Sequence, residues 1–121
     1  MSGSEITIQA SDGRDFMGYL ATPDSGSGPG VVVIQEIFGV NDVMRGITDS
    51  FAVAGYVALC PDLFWRQEPG IILSDQSDEE WARAFELFNG FALEMGVSDL
   101  AATISALSGL DSCSGKVGSV G

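Results

Sequence analysis

The apolar and polar positions alternate over Glu5 to Ala10 (EITIQA), the pattern of a half-buried strand. Ser11-Asp12-Gly13-Arg14 is a turn signal, and Asp15 to Ala21 (DFMGYLA) reads as the returning strand of a hairpin. Pro23 to Gly30 (PDSGSGPG) is a polar loop. The β-branched run from Val31 to Ile34 has no polar side, which is how a strand covered on both faces reads. Asn41 or Asp42 caps a helix whose apolar stripe is Val43, Met44, Ile47, Phe51 and Ala54, and Gly55 stops it. Tyr56 to Cys60 (YVALC) is a second central strand, which Pro61 ends.

Pro61 to Asp78 has no periodicity. Ser77 and Glu80 then form a capping-box pattern, opening a helix to about Phe91 with Trp81, Phe85 and Phe88 on one side. Val97, Leu100, Ile104 and Leu107 place another helix over 97–107, and Lys116 to Val120 is a last strand before Gly121. There is no internal repeat. Strands separated by helices imply crossovers and a parallel sheet. The expected fold is α/β: a mostly parallel sheet flanked by helices, with an N-terminal β-hairpin. Ligands of such sheets sit beyond the carboxyl ends of the strands. That gathers Gln35 to Asn41, Asp62 to Arg66 and whatever follows Gly121 around one site.

Composition narrows the function. With 121 residues, 45% apolar, the chain has a one-domain length and enough material for a core. Five basic against 17 acidic residues give −12, a field that repels phosphate backbones and argues against nucleic acid. No apolar run reaches the roughly 20 residues that span a bilayer, and the polar start Met1-Ser2-Gly3-Ser4-Glu5 lacks leader character, so a cytoplasmic protein with no membrane association is expected. No cofactor is expected either. Histidine is absent, so no nucleophile–histidine–aspartate relay can be built from these residues, and a zinc site has no ligand set. The acids Asp75, Asp78, Glu79 and Glu80 suit a helix start better than a metal. Gly115, Gly118 and Gly121 lack the lysine and hydroxyl ending of a phosphate loop.

The candidate chemistry lies in Gln35-Glu36-Ile37-Phe38-Gly39-Val40-Asn41 (QEIFGVN), directly after the buried run. Glu36 follows a strand end and is flanked by Ile37 and Phe38, so poorly solvated surroundings are expected for its carboxylate. The competing reading is a carboxylate that caps the next helix or pairs with Arg45. Arg45 itself reads as a salt-bridge residue. Cys60 ends an apolar strand and reads as an inert buried thiol, and Cys113 as an exposed one in a Ser/Gly loop. The Trp81, Phe85 and Phe88 stripe serves either the core or a pocket.

QEIFGVN, Met44-Arg45, Gly55-Tyr56 and Cys60-Pro61-Asp62-Leu63, with the closing GKVGSVG, resemble the signature blocks of dienelactone hydrolases. The resemblance runs nearly the whole length and implies the N-terminal part of an α/β-hydrolase fold. It implies a single incomplete domain over 1–121, ending at the first glycine of a nucleophile elbow, with the cysteine expected two residues past Gly121 and the aspartate and histidine later still. It assigns Glu36 to tuning the thiol, the Ile37 N–H to the oxyanion hole, and Phe38, Trp81, Phe85 and Phe88 to the pocket. Trp81 stands where the family's characterised members hold substrate carboxylate with an arginine, and Arg83 lies on another face of the helix. The implied activity is hydrolysis of a small-molecule ester or lactone, completed by a C-terminal remainder and absent from these 121 residues alone. The alternative is a non-catalytic hydrolase-like domain that binds a partner chain.

Overall fold

The computed structural model describes residues 3–121. Met1 and Ser2, part of the polar start read above, lie outside the described residues. The elements run β1 (Ser4–Gln9), β2 (Asp15–Ala21), β3 (Gly28–Val33), α1 (Asp42–Val53), β4 (Val57–Pro61), α2 (Asp78–Asn89), α3 (Leu93–Ser108) and β5 (Cys113–Val120). They build one five-stranded sheet in the order β1-β2-β4-β3-β5. The hairpin and its docking on β4 are antiparallel, while β4 and β5 both run parallel to β3. The sheet is therefore mixed, with parallel ladders wherever a helix joins the strands, as crossover geometry requires.

The period-2 rule explains why the central strands read as unbroken apolar runs. Val31 and Val33 of β3, with Ala58 and Cys60 of β4, face Met44 and Ala52 of α1. Val32, Val57 and Leu59 point the other way, into a cluster with Ile8, Phe16, Trp65 and Leu107 of α3. Each fully buried valine or leucine contributes about 1.5–3 kcal/mol of transfer free energy. The second helix, α2, packs on the 61–77 loop rather than on the sheet, through Leu87 against Phe64 and Ile71.

Several boundaries differ from the sequence reading. β3 begins at Gly28, inside the expected loop, because Gly28 pairs with β5 and its N–H donates to Ser112 O at 3.0 Å. A side chain there would collide with the Gly55 carbonyl, so glycine is required. α3 starts four residues earlier than the apolar spacing indicates, and β5 three residues earlier. Asn41 is the cap of α1, its Oδ1 accepting the Met44 N–H at 3.1 Å. Ser77 caps α2, accepting the Glu80 N–H at 3.2 Å, and the Glu80 carboxylate returns to the hydroxyls of Ser77 and Ser74.

Both apolar stripes are displaced from the truly buried row. α1 buries Met44, Thr48 and Ala52, and leaves Val43 at 63% exposure. α3 buries Gly96, Asp99, Thr103 and Leu107, and leaves Val97 at 59%. The physical reason is that each buried polar group is satisfied inside. Thr48 and Thr103 donate to carbonyls one turn back. Asp99 accepts from the Trp65 indole at 2.9 Å and from two Arg66 nitrogens at 3.0 and 2.9 Å. Among the described residues no single helix is long and apolar enough to cross a membrane.

Candidate active site

The seven-residue segment after β3 divides its labour by position. Gln35 braces it: its Oε1 accepts the Leu63 N–H at 2.7 Å and its Nε2 donates to Glu36 O. Residues 36–39 form a turn closed by the Gly39 N–H to Glu36 O at 3.2 Å. Gly39 has φ +82°, and a Cβ there would also strike the Ile71 carbonyl, so only glycine fits. Val40 is buried in the core. Asn41 caps α1 and donates to Leu73 O at 2.8 Å, while the Leu73 N–H donates to Phe38 O. The two ends of the segment and the 71–74 stretch thus hold the turn rigidly, and Glu36, Ile37 and Phe38 are presented at its tip.

Neither competing role for Glu36 is fulfilled. The cap is Asn41, and Arg45 pairs with Glu5 at 3.2 Å, donates to Val40 O and lies over the Tyr19 ring. The salt-bridge role read for Arg45 is therefore present, with a different partner. The expectation of poorly solvated surroundings for Glu36 is corrected: its side chain is exposed and no cation reaches it among the described residues. Glu36 nevertheless lies where three depressions meet. One is lined by Phe38, Asn41, Val43, Met44, Ser74 and Asp75. A second, apolar one is lined by Ile37, Leu63, Phe64, Phe88 and Phe91. The third contains Met44, Phe51, Val120 and Gly121.

That third depression follows from the sheet. Val33 and Val120 are register partners on adjacent parallel strands, and the Ile34 N–H donates to Val120 O at 2.8 Å. Glu36 and Gly121 therefore leave the sheet side by side at its carboxyl end. The Ile37 N–H finds no acceptor among the described residues.

The aromatic stripe of α2 is not core. Ala84 and Leu87 are the buried positions, while Trp81, Phe85 and Phe88 are 38, 49 and 56% exposed. Phe38 meets Trp81 edge-on at 4.9 Å, and Trp81 stacks on Phe85 at 5.8 Å. The Trp81 indole N–H is fixed by Asp75 O at 3.0 Å. Phe88 stands apart, on the rim of the apolar depression.

Of the Asp62–Arg66 group expected at the site, only Leu63 and Phe64 reach it. Asp62 turns inward and holds the N–H groups of Phe64 and Gly70, with burial raising its carboxyl above the usual range. Arg66 pairs with Asp99 and Asp12. Cys60 is fully buried, and burial pushes its thiol up to about 12, which leaves it unreactive. The sequence reading reached Leu63 and Phe64 only as part of the 62–66 group and missed Phe91 as a lining residue. Leu63 had a further signal, as the residue after the Cys60-Pro61-Asp62 block.

A model of the dienelactone hydrolase family matches residues 16–121. The chain belongs to the dienelactone hydrolase family. It is 57% identical over 88 residues to a putative carboxymethylenebutenolidase of Azospirillum brasilense, covering 72% of this chain and 38% of that protein. It is 41% identical over 116 residues to the carboxymethylenebutenolidase of Pseudomonas sp. strain P51, covering 96% of this chain and 49% of that one. In three dimensions it superposes on a putative dienelactone hydrolase from Klebsiella pneumoniae with a TM-score of 0.78 at 25% identity, covering 96% of this chain and 48% of that one. The fold is that of the α/β-hydrolases. This dienelactone hydrolase chain spans about half the length of the curated relatives it matches or less.

Proposed function

We propose that these residues are the N-terminal portion of a cysteine-dependent hydrolase of carboxylic esters or lactones, acting in the cytoplasm. The observation that carries this reading is the placement of Glu36 and Gly121 on adjacent parallel strand ends, lining one depression. A nucleophile two residues past Gly121 would rise beside the Glu36 carboxylate. Only the thiolate attacks well, and a carboxylate within reach can accept the thiol proton. The free Ile37 N–H supplies an oxyanion donor from the same turn. Phe38, Trp81, Phe85 and Phe88 form the apolar approach for substrate. Nucleophile, aspartate and histidine come from a C-terminal remainder, so 1–121 is one incomplete domain and inactive by itself.

The same remainder is the partner for the open edge. β5 presents no buried residue, and Val43 and Ile47 of α1 and Val97 and Ile104 of α3 are exposed. The alternative of a non-catalytic domain that binds a partner chain rests on this same edge. One experiment separates the two: turnover of p-nitrophenyl acetate by the 121-residue chain alone and by the chain joined to the portion of the Azospirillum brasilense relative that follows the matching strand. No turnover alone and turnover when joined is expected. Substantial activity of the chain alone would refute a nucleophile beyond Gly121. A folded, inactive joined chain would favour the binding domain.

A further inference from the structure

The apolar depression beside the Glu36 turn has a volume of about 180 Å³ and is walled by Ile34, Ile37, Leu63, Phe64, Phe88 and Phe91. Gln35 also borders it, but both ends of its amide are already engaged by the Leu63 N–H and by Glu36 O. An apolar cavity of about 150 Å³ takes up benzene. The depression thus matches one six-membered ring or a short branched alkyl group.

Its electrostatics select against charge. Glu36 is the single ionisable residue on the wall. The chain has five basic residues, and every one is placed elsewhere. Arg14 is held by Asp12, Arg45 by Glu5, Arg66 by Asp99 and Asp12, and Arg83 by Glu68 and Glu86. Lys116 lies in β5 beside the start of β3, at the opposite end of the strands. A carboxylate entering the depression would lose its hydration, meet no donor cation among the described residues and face the Glu36 carboxylate, each of which costs free energy.

Building on the hydrolase reading, we propose that this depression is the subsite for an uncharged, ring-sized apolar substituent of the ester or lactone, and that it excludes substituents bearing a carboxylate. Specificity here is a difference of affinities, set by the Glu36 carboxylate as much as by the apolar walls.

The test is a binding titration that requires no turnover. The ¹⁵N-labelled 121-residue chain is titrated at pH 7 with benzyl alcohol and, separately, with benzoate. Benzyl alcohol is expected to move the amides of Ile37, Leu63 and Phe88, with benzoate binding at least tenfold more weakly. Phe88→Lys, a change at an exposed rim position, is expected to bring the two within threefold. The proposal is overturned if benzoate binds as tightly as the alcohol, if neither ligand moves those amides, or if the lysine leaves the ratio unchanged. It is also overturned if the joined chain described above no longer binds the alcohol, because protein side chains would then fill the depression. A joined chain that turns over no ester counts against the hydrolase reading alone and leaves this titration to decide the subsite.

Discussion

β4 and β5 flank the same strand, β3, in the same parallel sense, yet their environments are opposite. All five residues of β4 are buried, between α1 on one face and the Trp65–Leu107 cluster on the other. In β5 six of eight residues are exposed and the remaining two half-buried. Hydrogen bonding to β3 is common to both, so pairing alone does not make a strand part of the core. What differs is cover. The candidate site lies at the open side of this divide, where Glu36 of the β3 exit meets the end of β5. The closed side fixes the turn that carries Glu36, and the open side leaves that carboxylate exposed.

The largest effect expected from this contrast is in packing. Leu59→Ala in β4 removes a fully buried side chain and is expected to cost about 2–5 kcal/mol by urea unfolding. Val120→Ala in β5 is expected to stay within about 0.5 kcal/mol. Equal costs would break the comparison.

Next comes the polar tie that pins α3 to the exit of β4. Asp99→Ala leaves the Trp65 indole and Arg66 without their shared acceptor. A cost of about 3 kcal/mol is expected, at the low end for a broken buried pair because Arg66 keeps Asp12 at 2.9 Å. A neutral result in urea would show that the tie is dispensable.

The two cysteines sharpen the contrast chemically. Cys113, half-buried at the start of β5, is expected to react with a thiol reagent at pH 7.5 in the native chain, and Cys60 of β4 only after unfolding. Burial makes the native state hold the Cys60 proton more tightly than the unfolded chain does. Its stabilising contribution is complete below the ordinary thiol value of 9.0 and is lost as pH climbs toward about 12. Cys60→Ala is expected to flatten the fall of stability over that window, and an unchanged profile would contradict it.

The smallest stability effect is expected at the site itself. Glu36→Gln changes an exposed side chain with no partner and is expected to shift the urea midpoint by no more than about 0.5 kcal/mol in free energy. A large loss would make Glu36 a structural residue.

Much of this division was legible in the sequence. The two-sided apolar runs of β3 and β4 located the centre of the sheet, because strands covered on both faces lose their alternation. Asn41 and Gly55 marked the two ends of α1, and Ser77 the start of α2. The buried rows of α1 and α3 were not legible. Their Thr48, Asp99 and Thr103 look polar until the internal acceptors and donors that satisfy them are known. Within the site, Glu36 stood out from its place after a strand and Ile37 only through the family resemblance, but the bracing by Gln35 and Asn41 depends on contacts 28 and 32 positions away. The open side of β5 was equally hidden, since Lys116 to Val120 reads like any other short strand.

The central claim is that Glu36 serves the nucleophile expected past Gly121. The most direct test is kcat/KM for p-nitrophenyl acetate in the joined chain with Glu36 and with Glu36→Gln, both confirmed folded. A loss of about 10²-fold or more, the range for a positioned proton acceptor, is the predicted result. Equal kcat/KM in the two proteins would contradict the account.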